Sequence, residues 1–216
     1  METWIFFSNC LGKHYTFFVA IIGNLLGFFS GISLAWSSPV LAKLKDPKEG
    51  DDPFGRPISD EEYALIGSLF SIGGAVGPII LIFSLEYLGR KPTMIILATI
   101  PIISYAQLAF STDIYEYYVC RLALGVSVGG SFSIIAVYIS EIVSSKMRGA
   151  FVSLGTSFIL TGCLFSYCVG PYVSIRNFNI IIASASLLYL PIFILFCPES
   201  LYFTMQKHGR EKLYII

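Results

Sequence analysis

A chain of 216 residues with 14 basic and 14 acidic side chains has no net charge, which excludes the strongly basic field that nucleic-acid binding demands. Hydrophobic residues make up 55% of it and charged residues 13%, with a mean hydropathy of +0.74, whereas soluble domains are about a quarter charged. The composition excludes an ordinary soluble domain and fits a chain whose main solvent is lipid.

A helix of about 20 apolar residues crosses the roughly 30 Å hydrocarbon core of a bilayer. Six such runs are predicted as membrane helices: about 15–37, 63–85, 93–112, 117–139, 150–170 and 178–197. The first follows Lys13 and His14; it is longer than a signal-peptide core and lacks a small-x-small cleavage site, so it is read as a retained span. It contains no Asp or Glu between Tyr15 and Pro39. A hydrated break at 43–62 follows, with seven acids, four bases and the turn-formers DDPFGRP. The second run places Gly67, Ser71 and Ala75 four residues apart, a spacing that lets helices approach closely. It leads into SLEYLGRKPTM, which gathers Glu86, Arg90 and Lys91 in a chain that elsewhere spaces its charges widely.

The fourth run carries Arg121 a few residues inside its first end, where the side chain either snorkels to the interface or faces the bundle interior. Gly125, Gly129 and Ser133 repeat the spacing of four. The run leads into SEIVSSKMRGA, a second charge cluster with Glu141, Lys146 and Arg148, and the sixth run is followed by CPESLYF. The five cysteines are scattered, and GxxxxGK[ST] and HExxH are missing from the sequence. These features predict no enzyme, no metal, no cofactor and no disulfide.

Counting Lys and Arg in the short flanks favours a cytoplasmic N-terminus: Lys13, Arg90, Lys91, Lys146, Arg148, Lys207, Arg210 and Lys212 then lie inside, against Lys43, Lys45, Lys48, Arg56 and Arg176 outside. Trp36, Tyr115, Tyr117, Tyr118 and Tyr172 are then expected at the outer interface. The predicted organisation is a cytoplasmic 1–14, a bundle over 15–197, and the start of a cytoplasmic loop at 198–216. Three spans per half invert the second half relative to the first, the arrangement of transporters that alternate their access.

Several segments together resemble one family. GRKP at 89–92 with Glu86 before it, RLALG at 121–125, YISEIVSSKMRGA ending at Ala150 and CPESLYF at 197–203 are similar to consecutive motifs of the sugar porters of the major facilitator superfamily. FFSGISLAWSSPVLAKL, ISDEEYALIGSLF and GPYVS are similar more narrowly to the N-terminal half of insect facilitated trehalose transporters. The resemblance implies an all-α membrane protein, a six-transmembrane-helix bundle that is the N-terminal half of the superfamily fold, made of two inverted three-helix repeats. It implies a plasma-membrane carrier in the lipid bilayer moving a small-molecule sugar such as trehalose or a hexose. Because proton-driven sugar porters carry an acid in the first span, it also implies facilitated movement. A second six-helix half is required as partner, from the same chain or by dimerisation, so 216 residues read as a fragment or short product that does not transport alone.

By position, the resemblance places a sugar pocket at Phe29 and Ser33 in the first span and at Thr156, Ile159 and Cys163 in the fifth. It places a conformational latch at Glu86, Arg90, Glu141, Arg148 and Glu199. For the bases alone, enforcing orientation is an equally good account; acids set among them favour the latch. The chain departs from the family pattern at Tyr87 for Arg, Leu201 for Pro and Thr156 for a sugar-binding Gln. These departures leave open a second class of function: a membrane protein that does not transport, acting as pseudo-transporter, sensor or interaction subunit.

Overall fold

The computed structural model describes residues 2–47, 53–200 and 203, with side chains from residue 15 onward. Its helices are α1 (Glu2–Ala35), α2 (Ser37–Lys45), α3 (Asp60–Tyr87), α4 (Arg90–Phe110), α5 (Ile114–Ile142), α6 (Arg148–Val169) and α7 (Ile175–Phe196). Six spans, the first formed by α1 and α2 together, are long and apolar enough to cross a membrane, as the sequence predicts. No strand occurs among the described residues.

Helices α3 to α7 start ahead of the predicted apolar runs, and side-chain caps set the starts of α3, α5 and α7. The first span continues to Lys45 instead of ending at 37, since α2 adds a buried face of Pro39, Val40, Leu41 and Leu44. Ser59 and Glu62 form a capping box that starts α3 at Asp60: Glu62 N–H donates to Ser59 Oγ at 3.2 Å and Ser59 N–H to Glu62 Oε2 at 2.9 Å. Asp113 accepts from Tyr115 N–H to open α5, and Ser174 from Asn177 N–H to open α7.

The strongest packing pairs α1 with α6, α3 with α5 and α4 with α7, while α1 and α5 meet at the centre. Exchanging the first three spans for the last three leaves this list of pairs unchanged, which is the signature of a two-fold relation between inverted repeats. The backbone contacts repeat it residue by residue. A Cβ on Gly31 would overlap the carbonyl of Ile159, and one on Gly129 that of Gly74; a Cβ on Gly162 would overlap the Phe28 carbonyl, and one on Gly77 that of Val126. One shift along the chain carries Phe28 and Gly31 onto Val126 and Gly129, and another carries Gly74 and Gly77 onto Ile159 and Gly162. In lipid, where apolar burial gives helices little reason to associate, such close approach is what holds them together.

Two expectations about faces are corrected. Gly73, Gly74 and Gly77, not Gly67, Ser71 and Ala75, are the small residues of α3 that meet α5, and nothing lies within 4 Å of a Cβ built on Gly67. Trp36 and Tyr117 are fully buried in the bundle, whereas Tyr115 and Tyr172 are exposed as interfacial rings should be. Trp36 turns inward because its indole N–H donates to Asn179 Oδ1 of α7 at 2.8 Å.

Candidate functional site

The end of the bundle that holds the C-termini of α5 and α7 concentrates the chain's buried ion pairing. Gly89 precedes α4 at φ +96 and has no side chain with which to cap it. Glu199 supplies the cap from more than a hundred residues away, its carboxylate accepting from the N–H groups of Arg90 at 3.0 Å, Lys91 at 3.1 Å and Ser200 at 2.9 Å. An anion there satisfies orphan donors and meets the positive end of the helix dipole. The Arg90 guanidinium forks onto Glu141 of α5, with Nη2 at 2.8 Å and Nε at 3.0 Å, and lies 5.4 Å over the Phe203 ring.

The carbonyls at the end of α7 are capped as well. Lys91 Nζ donates to Ile194 O at 2.8 Å, Tyr15 to Phe196 O at 2.9 Å and Tyr138 to Pro198 O at 2.8 Å. Of the five predicted latch residues, Arg90, Glu141 and Glu199 are thus brought together. Glu86 is exposed on the last turn of α3, and Arg148 is exposed at the first residue of α6.

The predicted pocket residues divide between interior and surface. Ser33 is fully buried; its hydroxyl donates to Phe29 O and accepts from Tyr105 of α4 at 2.8 Å. The Phe29 ring is 5% exposed and tilts against Tyr189 of α7 with centroids 5.4 Å apart. Ile159 and Cys163 are half-buried against α1, where the Cys163 thiol donates to Gly31 O at 3.2 Å. Thr156 is exposed on α6. Phe29 and Ser33 therefore do not share an open surface with Thr156.

A residue the sequence left undecided stands at the centre. Arg121 is 0% exposed and faces the bundle interior. Its Nη1 donates to Ser33 O at 3.3 Å and its Nη2 to Ser37 Oγ at 2.6 Å, while its guanidinium lies 4.1 Å from the Phe70 ring centroid and 4.9 Å from that of Trp36. Two hydrogen bonds and two ring faces take the place of a carboxylate around this charge. The partners Ser37 and Phe70 were invisible to sequence reading because they belong to different spans.

The chain is similar to known carriers over most of its length. It is 29% identical over 191 residues to the sugar transporter ERD6-like 15 of Arabidopsis thaliana, covering 88% of this chain and 38% of that protein. It is 33% identical over 143 residues to the facilitated trehalose transporter Tret1 of Culex quinquefasciatus, covering 66% of this chain and 27% of that one. Its fold matches the major facilitator superfamily proton:xylose symporter XylE, bound to 6-bromo-6-deoxy-D-glucose, with a TM-score of 0.72 and 22% identity over 92% of this chain and 48% of that chain. The chain thus spans about half the length of that solved structure and less than two fifths of these curated relatives. With residues 6–213 matching the profile of the sugar (and other) transporter family, the chain belongs to that family of multi-pass membrane proteins.

Proposed function

We propose that this chain is the N-terminal half of a facilitated sugar carrier, moving a saccharide such as trehalose or a hexose by alternating access once a second six-helix half completes the cavity. The single observation that carries the uncoupled reading is the environment of Arg121. In this chain the buried guanidinium meets Ser33 O, Ser37 Oγ and two rings, its Nε has no partner among the described residues, and no carboxylate that could take up or release a proton stands among these contacts. The solute gradient is then the only drive. The protein sits in the plasma membrane with its N-terminus and the Arg90 end in the cytoplasm.

The sugar meets the exposed face of α6 at Thr156, with Ile159 and Cys163 at its edge; Phe29 and Ser33 shape the wall behind. The Arg90–Glu141–Glu199 cluster is the standing part of the latch, and exposed Arg148, together with Glu86, meets the opposing half in the outward-open state. The test is tracer uptake by the full-length protein in vesicles. Thr156→Gln, which restores an amide with two donors and an acceptor, should raise hexose affinity, and uptake should be indifferent to an imposed proton gradient. Uptake of no sugar by either form, or uptake that collapses with the proton gradient, would overturn the reading.

A further inference from the structure

We propose that Trp36 is a hinge in the first span and that Arg121 is the pin that holds it, so that α2 pivots against a fixed α1 when the pin lets go. Helix α1 stops at Ala35 and α2 starts at Ser37. Pro39 has no N–H to give the Ala35 carbonyl, so one rung of the i→i−4 ladder is missing at this turn, between the bonds Trp36 N–H to Ile32 O at 2.8 Å and Val40 N–H to Trp36 O at 3.3 Å. Trp36 itself keeps right-handed angles, φ −51 and ψ −37, so a modest torsional change there redirects everything beyond it.

Side chains from α3, α4, α5 and α7 converge on this turn. Arg121 of α5 bonds Ser33 O before the break and Ser37 Oγ after it, at 3.3 and 2.6 Å. Its guanidinium is stacked between Trp36 and Phe70 of α3. Asn179 of α7 accepts from Trp36 Nε1 at 2.8 Å, and Tyr105 of α4 donates to Ser33 Oγ at 2.8 Å. Burying a cation is costly, and here it is spent across a helix interruption, tying one side to the other.

Beyond the pin, α2 is held by a buried apolar face and by contacts near its far end. Its apolar face of Val40, Leu41 and Leu44 seats it without fixing an angle, because apolar packing is non-directional. Lys45 pairs with Asp60 at 2.7 Å with both side chains more than half exposed, a kind of pair that contributes little. Lys43 Nζ donates to Val173 O, and the Leu44 carbonyl accepts from Ile58 N–H at 3.1 Å. Arg121 is the contact that ties α2 back to α1 across the turn. The role of this hinge in transport rests on the reading above, but the hinge is tested without transport.

The experiment is hydrogen–deuterium exchange on the full-length protein in nanodiscs. Ser37→Ala removes one arm of the pin and leaves the buried charge in place; it should speed exchange at 40–45 about tenfold while α4 to α7 keep their rates. Arg121→Met should speed the same amides further. Arg121→Lys, which keeps the charge but loses the fork, should fall between wild type and Arg121→Met. Unchanged exchange at 40–45 in Ser37→Ala overturns the hinge even if Arg121→Met fails to fold, and so does acceleration spread evenly over all helices. No sugar uptake by the wild-type protein, together with a localised exchange response in the variants, would sink the carrier reading and leave the hinge standing.

Discussion

Glu141 and Arg90 are the pair whose loss should be felt most at their end of the bundle. Their side chains are 15% and 12% exposed, so they are largely out of water, and the fork geometry is what offsets their desolvation. Glu141→Ala leaves Arg90 mostly buried without its main carboxylate and should cost about 3 kcal/mol in thermal or denaturant unfolding of the detergent-solubilised protein. The double variant Glu141→Ala, Arg90→Met removes both charges and should recover most of that loss; a double variant less stable than Glu141→Ala alone would mean the pair stabilises by some other route. Glu199 acts differently. As a cap on three backbone N–H groups it holds α4 and the chain after α7 together, and Glu199→Gln should cost only about 1 kcal/mol because an amide oxygen still accepts hydrogen bonds there. Nothing in the local sequence of α4 announces this cap, since its N-cap is Gly89 and the acid lies beyond the far end of α7.

The existence of each helix was legible for a simple reason: a span in lipid must satisfy its own backbone, so its length and apolarity are written in consecutive residues. Helix faces were harder to read. Around α3 nearly every side chain is small or apolar, so spacing alone could not separate the row at Gly73 and Gly77 from the row at Gly67, Ser71 and Ala75; only the neighbour α5 decides. The two rows make opposite predictions. Gly73→Ala would push a Cβ into the Leu122 carbonyl and should lower stability by about 1–3 kcal/mol, while Gly67→Ala, pointing into open space, should be neutral or slightly stabilising through better helix propensity. Paired melting curves read the difference directly, and equal effects would mean α3 is rotated from the orientation described. Trp36 was misread for a related reason, because an aromatic near a span end looks interfacial until Asn179 of another span claims its N–H. The site shows the same split: Arg90, Glu141 and Glu199 were legible as charges gathered at span ends, whereas the engagement of Ser33 by Tyr105 and Arg121 depended on which helices meet.

At the scale of the whole molecule the inverted repeats make a quantitative claim. Gly31 on α1 against Ile159 of α6 and Gly129 on α5 against Gly74 of α3 are the same contact formed twice, once in each copy of the arrangement. In both, a Cβ would overlap a backbone carbonyl, which cannot swing aside as a side-chain tip can, so the two helices must separate. Gly31→Ala and Gly129→Ala should therefore destabilise by similar amounts, about 1–3 kcal/mol each. Because the two contacts lie on different helix pairs and share no partner, the double variant should lose close to the sum of the two, within about 0.5 kcal/mol. Unfolding of the two single variants and the double variant in one detergent is enough to decide it. Two unequal single effects would show that the copies carry unequal load despite their matched contacts. A double variant far less stable than the sum would show that the α1–α6 and α3–α5 pairs yield together through the central α1–α5 contact. Additive, matched losses would instead mean that the α1–α6 and α3–α5 pairs bear their loads independently.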